Sequence, residues 1–229
     1  MNIAVIIPAL NEAESLPRLI AAIPRQASDW VDVIVVDNGS TDTTASAAQA
    51  AGARVVSEPR RGYGYACSAG VGAAQGVEAI VFLDGDFSFD PAEMPGLLAP
   101  LRAGTADLVL GSRLLKQANG ARESMLPHQR FGNRLTASLV RSLYGLQLTD
   151  LGPYRAARAD LLASLDMREM TFGWPTEMIV KAARRGARIV ETPVSHRPRL
   201  AGKSKVSGTL KGSILAAYFI LRTTFRYAF

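Results

Sequence analysis

Two carboxylates separated by one glycine end an apolar run at Ile80-Val81-Phe82-Leu83-Asp84-Gly85-Asp86. A run that stops at such a pair predicts a buried strand whose carboxyl end opens into a polar site. Gly85 permits a tight turn, so both carboxylates can face one small volume. Acidic oxygens placed this way suit a hard divalent cation, Mg²⁺ or Mn²⁺, that also holds phosphates. An acidic turn after a strand would use the same residues. Arg60 and Arg61, which precede a glycine, are candidate phosphate contacts. His196, Arg197, Arg199, Lys203 and Lys205 form a basic tract among few acids. Lys203-Ser204-Lys205 lies between glycines, where it can wrap an anion or stand as a solvated loop. Asp150 and Arg155 are the charged candidates of the Leu148–Arg155 stretch, which is expected to be a turn or edge strand.

The elements that must position these groups follow from hydrophobic patterning. Ile3 to Ile7 is a continuous apolar run, as in a parallel strand covered on both faces, and Pro8 is expected to end it. Leu16, Leu19, Ile20 and Ile23 repeat at helical spacing. Strands are expected at Val31–Val36, Ala53–Val56, Ala79–Leu83, Ala106–Leu110 and Ala187–Val190. Alanine-rich or small-residue helices run to Ala51 and from Tyr63 to Gln75. Asp90-Pro91-Ala92-Glu93 has a cap, a proline at the first helical position and a glutamate three residues after the cap. Further helices are expected over Arg130–Leu143 and from the Phe172–Glu177 stretch, which opens one, to Arg185. Strands alternating with helices make a βαβ series and an α/β fold with a mostly parallel sheet. Ligands in such sheets sit beyond the carboxyl ends of the strands. The segments Pro8–Glu12, Asp37–Asp42, Asp84–Asp86 and Gly111–Arg113 all fall there.

The bulk properties narrow the partners. Of 229 residues, 48% are hydrophobic and 20% charged, so the chain can bury a sizeable core. A formal net charge of +6 favours nucleotide phosphates or an anionic membrane surface. Nucleic acid is disfavoured, since aromatics are only 7% and no binding motif occurs. The single cysteine, Cys67, excludes an internal disulfide and is expected as a small buried hydrophobe; the two histidines are expected to be structural or on the surface. Gly62-Tyr63-Gly64 lacks the third glycine of a dinucleotide fingerprint, which argues against a nicotinamide enzyme. No signal peptide or membrane-spanning run is seen, so a cytoplasmic or membrane-peripheral location is expected. The stretch from Leu114 to Pro127 is polar and expected to be mobile. From Val206 to Phe229, Leu210, Ile214, Leu215, Tyr218, Leu221 and Phe225 lie near helical spacing with basic residues between. Such a helix can lie on a membrane, pack on its own core or pair with a second subunit.

Four motifs in order, Pro8-Ala9-Leu10-Asn11-Glu12, Val35-Val36-Asp37-Asn38-Gly39-Ser40-Thr41-Asp42, Leu83-Asp84-Gly85-Asp86 and Gly111-Ser112-Arg113, resemble family 2 glycosyltransferases of GT-A fold. Asp150 to Arg155, Trp174 to Glu177 and Gly202-Lys203-Ser204-Lys205 are more loosely similar to the dolichol-phosphate mannosyltransferase and polyprenyl-phosphate glycosyltransferase branch. The resemblance implies a donor half over residues 1–113, an acceptor half of the same domain over 114–205, and a C-terminal amphipathic helix over 206–229. Pro8, Leu10 and Glu12 would line the nucleotide pocket, and Asp37 would meet base or ribose. Asp84 and Asp86 would form the DxD-type motif holding Mg²⁺ or Mn²⁺ and the sugar diphosphate. Arg113 would face the diphosphate or an acceptor phosphate. Asp150 and Arg155 would border the acceptor, and Lys203 and Lys205 would close over the diphosphate. That branch often has Gln where this chain has Ser88, which leaves a metal one ligand to water. Its bacterial members often continue into transmembrane helices, whereas this chain ends at Phe229.

The implied activity is inverting transfer of a hexose from a donor of GDP-mannose or UDP-glucose type to a polyprenyl phosphate. A phosphate acceptor is already an anionic nucleophile. A hydroxyl acceptor would need a carboxylate base, for which Asp150 is preferred over Glu177. A saccharide acceptor and a non-catalytic nucleotide-sugar-binding protein are the alternatives.

Overall fold

The computed structural model describes residues 1–115, 127–202 and 210–228. Its frame is a seven-stranded sheet in the order β3-β2-β1-β4-β6-β5-β7. The strands are β1 (Asn2–Ala9), β2 (Trp30–Asp37), β3 (Arg54–Ser57), β4 (Ala79–Phe82), β5 (Leu108–Ser112), β6 (Arg155–Arg158) and β7 (Ile189–Pro193). All neighbours pair in parallel except at β6, which runs antiparallel to both β4 and β5. Strands from both sides of residue 113 thus share one sheet. The mostly parallel α/β architecture expected from the sequence is present.

The unbroken apolar run of β1 follows from burial on both faces. Ile3, Val5 and Ile7 join one core cluster with Leu16, Leu19 and Ile20 of α1 (Leu16–Ala21) and Leu97, Leu98 and Leu101 of α4 (Met94–Arg102). Ala4 and Ile6 join the opposite cluster, with Ala66 and Cys67 of α3 (Tyr63–Ala73) and Met178 and Ile179 of α7 (Trp174–Arg184). Helix α2 (Thr44–Ala50) packs beside α1. Pro8 does not end β1 as expected. The Ile6 carbonyl accepts from Leu83 N on the β4 side, so the main-chain groups of Pro8, two residues on, face the same way. There β4 has already ended at Phe82, and the missing N–H costs no ladder bond.

The main departure is β6, an interior strand that was not anticipated and that begins at Arg155, where the stretch expected as a turn or edge strand ends. Its sequence, Arg-Ala-Ala-Arg, carries almost no strand signal, yet Ala156 and Ala157 are buried, one in each cluster. The expected cap at Asp90 is present, its carboxylate accepting from Ala92 N at 3.0 Å. Helices α5 (Pro127–Tyr144), α6 (Ala159–Ser164) and α8 (Leu210–Arg226) complete the second half; α6 was not anticipated. Most of the stretch expected to be mobile, and both Lys203 and Lys205, lie outside the described residues.

The ends of β5 and the Asp150–Arg155 turn approach so closely that a Cβ on Gly152 would stand 1.9 Å from the Gly111 carbonyl oxygen. Gly152→Ala should therefore cost about 3 kcal/mol or more by forcing main chain apart. Gly132→Ala on α5, where an added Cβ meets nothing within 4 Å, should be neutral or stabilise by up to about 1 kcal/mol. Urea midpoints of the two variants check the pair.

Candidate active site

The carboxyl ends of β1, β4 and β5 and the segments following β2 and β7 open into one cleft of about 990 Å³. Of the expected site residues, Pro8, Leu10, Glu12, Asp84, Asp86 and Arg113 line it. Asp84 and Asp86 follow β4 directly. Phe87 takes a left-handed conformation, φ 59°, unusual for a bulky residue, and lets the Ser88 N–H turn back to Asp86 Oδ1 at 3.0 Å. Tyr63, at the start of α3, donates to Asp84 Oδ1 at 3.4 Å. Burial, with Asp86 close beside it, pushes Asp84 up to about 7, against the pull of Arg155 and Arg113. Among the described residues no third His, Cys, Asp or Glu groups with these two. Two hard oxygen donors nevertheless fit Mg²⁺ or Mn²⁺, which commonly keeps waters and takes substrate phosphates for its remaining positions.

Arg113, just past β5, is aimed by Asp150. The guanidinium holds the carboxylate in a fork, Nε to Oδ2 at 2.8 Å and Nη2 to Oδ1 at 2.9 Å, and Arg113 N donates to Oδ2 at 2.9 Å. Asn133 of α5 supplies a fourth donor at 2.8 Å. Burial alone would raise Asp150, but the Arg113 charge and these hydrogen bonds outweigh it and hold the carboxyl below its ordinary range. Asp150 is 0% exposed and its lone pairs are taken, so its geometry is that of a support for Arg113 and not of a base.

Arg155 is likewise committed. Its guanidinium donates to the carbonyls of Leu151, Gly152, Pro153 and Pro175, tying the turn before β6 to the start of α7. It lies behind the cleft and reaches Asp84 only through its charge. Glu177 accepts from Arg168 N, Glu169 N, the Tyr227 hydroxyl and Lys181 Nζ, and joins α7 to the end of the chain without facing the cleft. Asp37 is not on the cleft wall; its Oδ1 accepts from Ser40 N at 3.0 Å and closes the turn after β2.

Several lining residues had not been singled out from the sequence. Asn38, next to Asp37, donates to the carbonyls of Glu58 and Arg60 and accepts from Gly62 N, which fixes the Arg61 loop at the cleft edge. Its signal was the Asp-Asn-Gly turn, which orders itself around side-chain amides. His196, expected to be structural or superficial, lies on the wall against the edge of Phe89. Burial first, then the Arg113 charge, pulls it down to about 4, so the ring is neutral at pH 7. Cys67 is buried as expected, and burial raises its thiol.

One wall of the cleft comes from α8, through Leu215, Ala216, Phe219 and Ile220. Much of the apolar stripe noted in the sequence points outward: Ile214 is 62%, Tyr218 57% and Phe225 48% exposed. The helix is seated instead by Ala216, Thr223 and Thr224, and by the Tyr144 hydroxyl donating to Thr224 O at 2.6 Å. No helix among the described residues is long and apolar enough to cross a membrane.

A mostly parallel sheet whose strand β4 leads into an Asp-Gly-Asp turn at a large cleft is the arrangement of a glycosyltransferase of the GT-A type. Comparison with known proteins agrees: the family model described as "Glycosyl transferase family 2" matches residues 4–165, and the chain belongs to that family. It is 43% identical over 214 residues to an uncharacterized glycosyltransferase of Mycobacterium tuberculosis, covering 93% of this chain and 94% of that one. It is 37% identical over 228 residues to the undecaprenyl-phosphate mannosyltransferase of Micrococcus luteus, covering 93% and 90%. The crystal structure of glucosyl-3-phosphoglycerate synthase from M. tuberculosis with Mn²⁺, UDP and phosphoglyceric acid superposes with a TM-score of 0.78 at 27% identity, covering 99% of this chain and 78% of that one.

Asp150→Asn keeps the shape of the fork but leaves the Arg113 charge buried and uncompensated, which should cost about 3 kcal/mol. A carboxylate with a depressed folded pKa contributes stability above its unfolded pKa and loses it as pH falls through the folded one. The stability gap between wild type and Asp150→Asn should therefore narrow below about pH 4. Denaturant titrations from pH 7 to 3 measure it.

Proposed function

We propose that the protein transfers a hexose from a nucleotide sugar to a polyprenyl phosphate, with inversion at the anomeric carbon and with a bound divalent cation. The observation that carries this reading is the two-sided character of the cleft. One side presents Asp84, Asp86 and Arg113; the other is the apolar wall of α8, which continues onto exposed Ile214 and Tyr218. A phosphate on a long apolar chain matches both sides at once. The relatives named as an undecaprenyl-phosphate mannosyltransferase and a polyprenol monophosphomannose synthase support it. So does the state of the two carboxylates considered as bases, since Asp150 and Glu177 are both fully engaged.

In this mechanism Pro8, Leu10 and Glu12 bind the nucleoside, and Asp37 acts only by closing the turn after β2. Asp84 and Asp86 would hold Mg²⁺ or Mn²⁺, which offsets the charge gathering on the leaving diphosphate. Arg113, kept in place by Asp150, draws the acceptor phosphate toward the anomeric carbon. A phosphate oxygen forms the new bond there as the bond to the diphosphate breaks, and the electron pair leaves with the nucleoside diphosphate. The acceptor is already an anion, so no proton has to be removed. Arg155 shapes the acceptor turn from behind. Lys203 and Lys205 are assigned to the diphosphate on sequence grounds alone. The outward face of α8, with Arg222 and Arg226, rests on an anionic membrane surface, giving a peripheral attachment.

A thermal-shift panel of GDP-mannose and UDP-glucose, each with and without Mn²⁺, tests the donor site. At about 100-fold its dissociation constant a ligand adds roughly 2.7 kcal/mol, so one donor should give a metal-dependent shift that Asp86→Ala abolishes. Transfer of labelled sugar to a polyprenyl phosphate should fall about 10²-fold or more in Asp86→Ala. Transfer to a hydroxyl acceptor with none to polyprenyl phosphate would overturn the acceptor assignment and leave the donor site standing.

A further inference from the structure

The segment after β7 turns back over the cleft and is laced to the residues that follow the Asp-Gly-Asp turn. Arg197 N donates to Ser88 O at 2.9 Å and Leu200 N to Asp86 O at 3.0 Å, and Phe89 and His196 form an antiparallel bridge beside them. Ser195 N and Oγ donate to Glu93, and Arg197 pairs with Asp90 at 2.8 Å. This strap is therefore fastened by main chain and by two side-chain links before Arg199 is considered.

Arg199 reaches inward from the strap, its side chain only 18% exposed. Its Nη2 lies 2.5 Å from Glu12 Oε1, and its Nη1 lies 3.6 Å from Asp86 Oδ2. Nε donates to Ala201 O at 2.7 Å, which orients the fork. One guanidinium thus spans two carboxylates from different walls of the cleft. It contributes a positive charge beside Asp86, on the oxygen that Ser88 N leaves open. A divalent cation bonds a carboxylate oxygen at about 2.0–2.1 Å, so it and a guanidinium this near would repel across a few ångströms.

We propose that Arg199 is a tethered cation that competes with the divalent metal for Asp86 and is drawn off it by the donor diphosphate. The proposal rests on the assignment of Asp84 and Asp86 to the metal. A guanidinium released from Asp86 stays on the fastened strap, within reach of a diphosphate, whose oxygens accept its paired N–H groups better than one shared carboxylate does. Metal and donor binding then favour each other through one side chain: whatever turns Arg199 toward the diphosphate frees Asp86.

The test is Mn²⁺ affinity, read from the free-ion electron paramagnetic resonance signal, alone and with saturating UDP or GDP. Arg199→Gln should bind Mn²⁺ about tenfold tighter than wild type without nucleotide, the loss of one competing charge. With the diphosphate that binds, this advantage should vanish. Arg199→Lys, which keeps the charge, should stay near wild type. Glu12→Gln, which leaves Asp86 as the one carboxylate of the two that holds the Arg199 charge, should weaken Mn²⁺ binding and provides a second reading if Arg199→Gln folds poorly. Equal or weaker Mn²⁺ binding by folded Arg199→Gln, or tighter binding by Glu12→Gln, would overturn the proposal while wild-type binding lost in Asp86→Ala upholds the metal site. No Mn²⁺ binding by wild type or Arg199→Gln, with or without nucleotide, would overturn both.

Discussion

Two like charges at the end of a buried strand must be compensated, and much of the architecture around this cleft is arranged to do so. Asp84 and Asp86 sit one residue apart where β4 leaves the core, and burial with mutual repulsion drives Asp84 up to about 7. Three arginines answer from different depths. Arg155 lies behind, Arg113 at the side and Arg199 above. Two of them are fixed, Arg155 by main-chain carbonyls and Arg113 by Asp150, whereas Arg199 is shared between Glu12 and Asp86. Positive charge is thus held near the acidic pair without collapsing onto it. Preorganised charge of this kind stabilises a developing anion without reorganisation cost at the moment of reaction.

The same compensation accounts for features that look unrelated to a site. The interior antiparallel strand β6 begins with Arg155, and the close contact between Gly152 and Gly111 brings the Asp150 turn against the end of β5. That contact sets Asp150 where it can receive both the main chain and the guanidinium of Arg113. A second-half turn therefore determines the direction of a first-half arginine. The sheet's one reversal of direction is part of the site's electrostatics.

The fold and one side of the cleft were legible in the sequence for local reasons. Strands that end in short polar motifs announce their own carboxyl ends, and Pro8 to Glu12, Asp84 to Asp86 and Arg113 were found by that rule. What was not legible depends on long-range partners. Nothing local distinguishes Asp150 as an arginine's anchor from Asp150 as a base, since its four donors come from residues 113 and 133. Arg155 looked like a site residue because its charge is conspicuous, whereas its partners are main-chain carbonyls, which leave no mark on sequence. The Arg-Ala-Ala-Arg strand lacked branched or aromatic residues, and alanine gives no strand period to read.

Helix α8 adds a constraint of another kind. A helix packed on a core needs one apolar face, and this one has two: Ala216, Phe219 and Ile220 toward the cleft, Ile214, Tyr218 and Phe225 outward. The inward face alone would satisfy folding. The outward residues cost solubility, and grouped along one helix they mark a surface built to meet something apolar. On the proposed reading that something is the membrane, and the helix is at once the attachment and the wall of the acceptor channel. A phosphate that stays attached to a lipid can travel only a short way from the headgroup layer. A wall that is itself seated in that layer would bring the acidic pair and Arg113 to the phosphate, and the apolar chain would not have to be drawn through water to reach them.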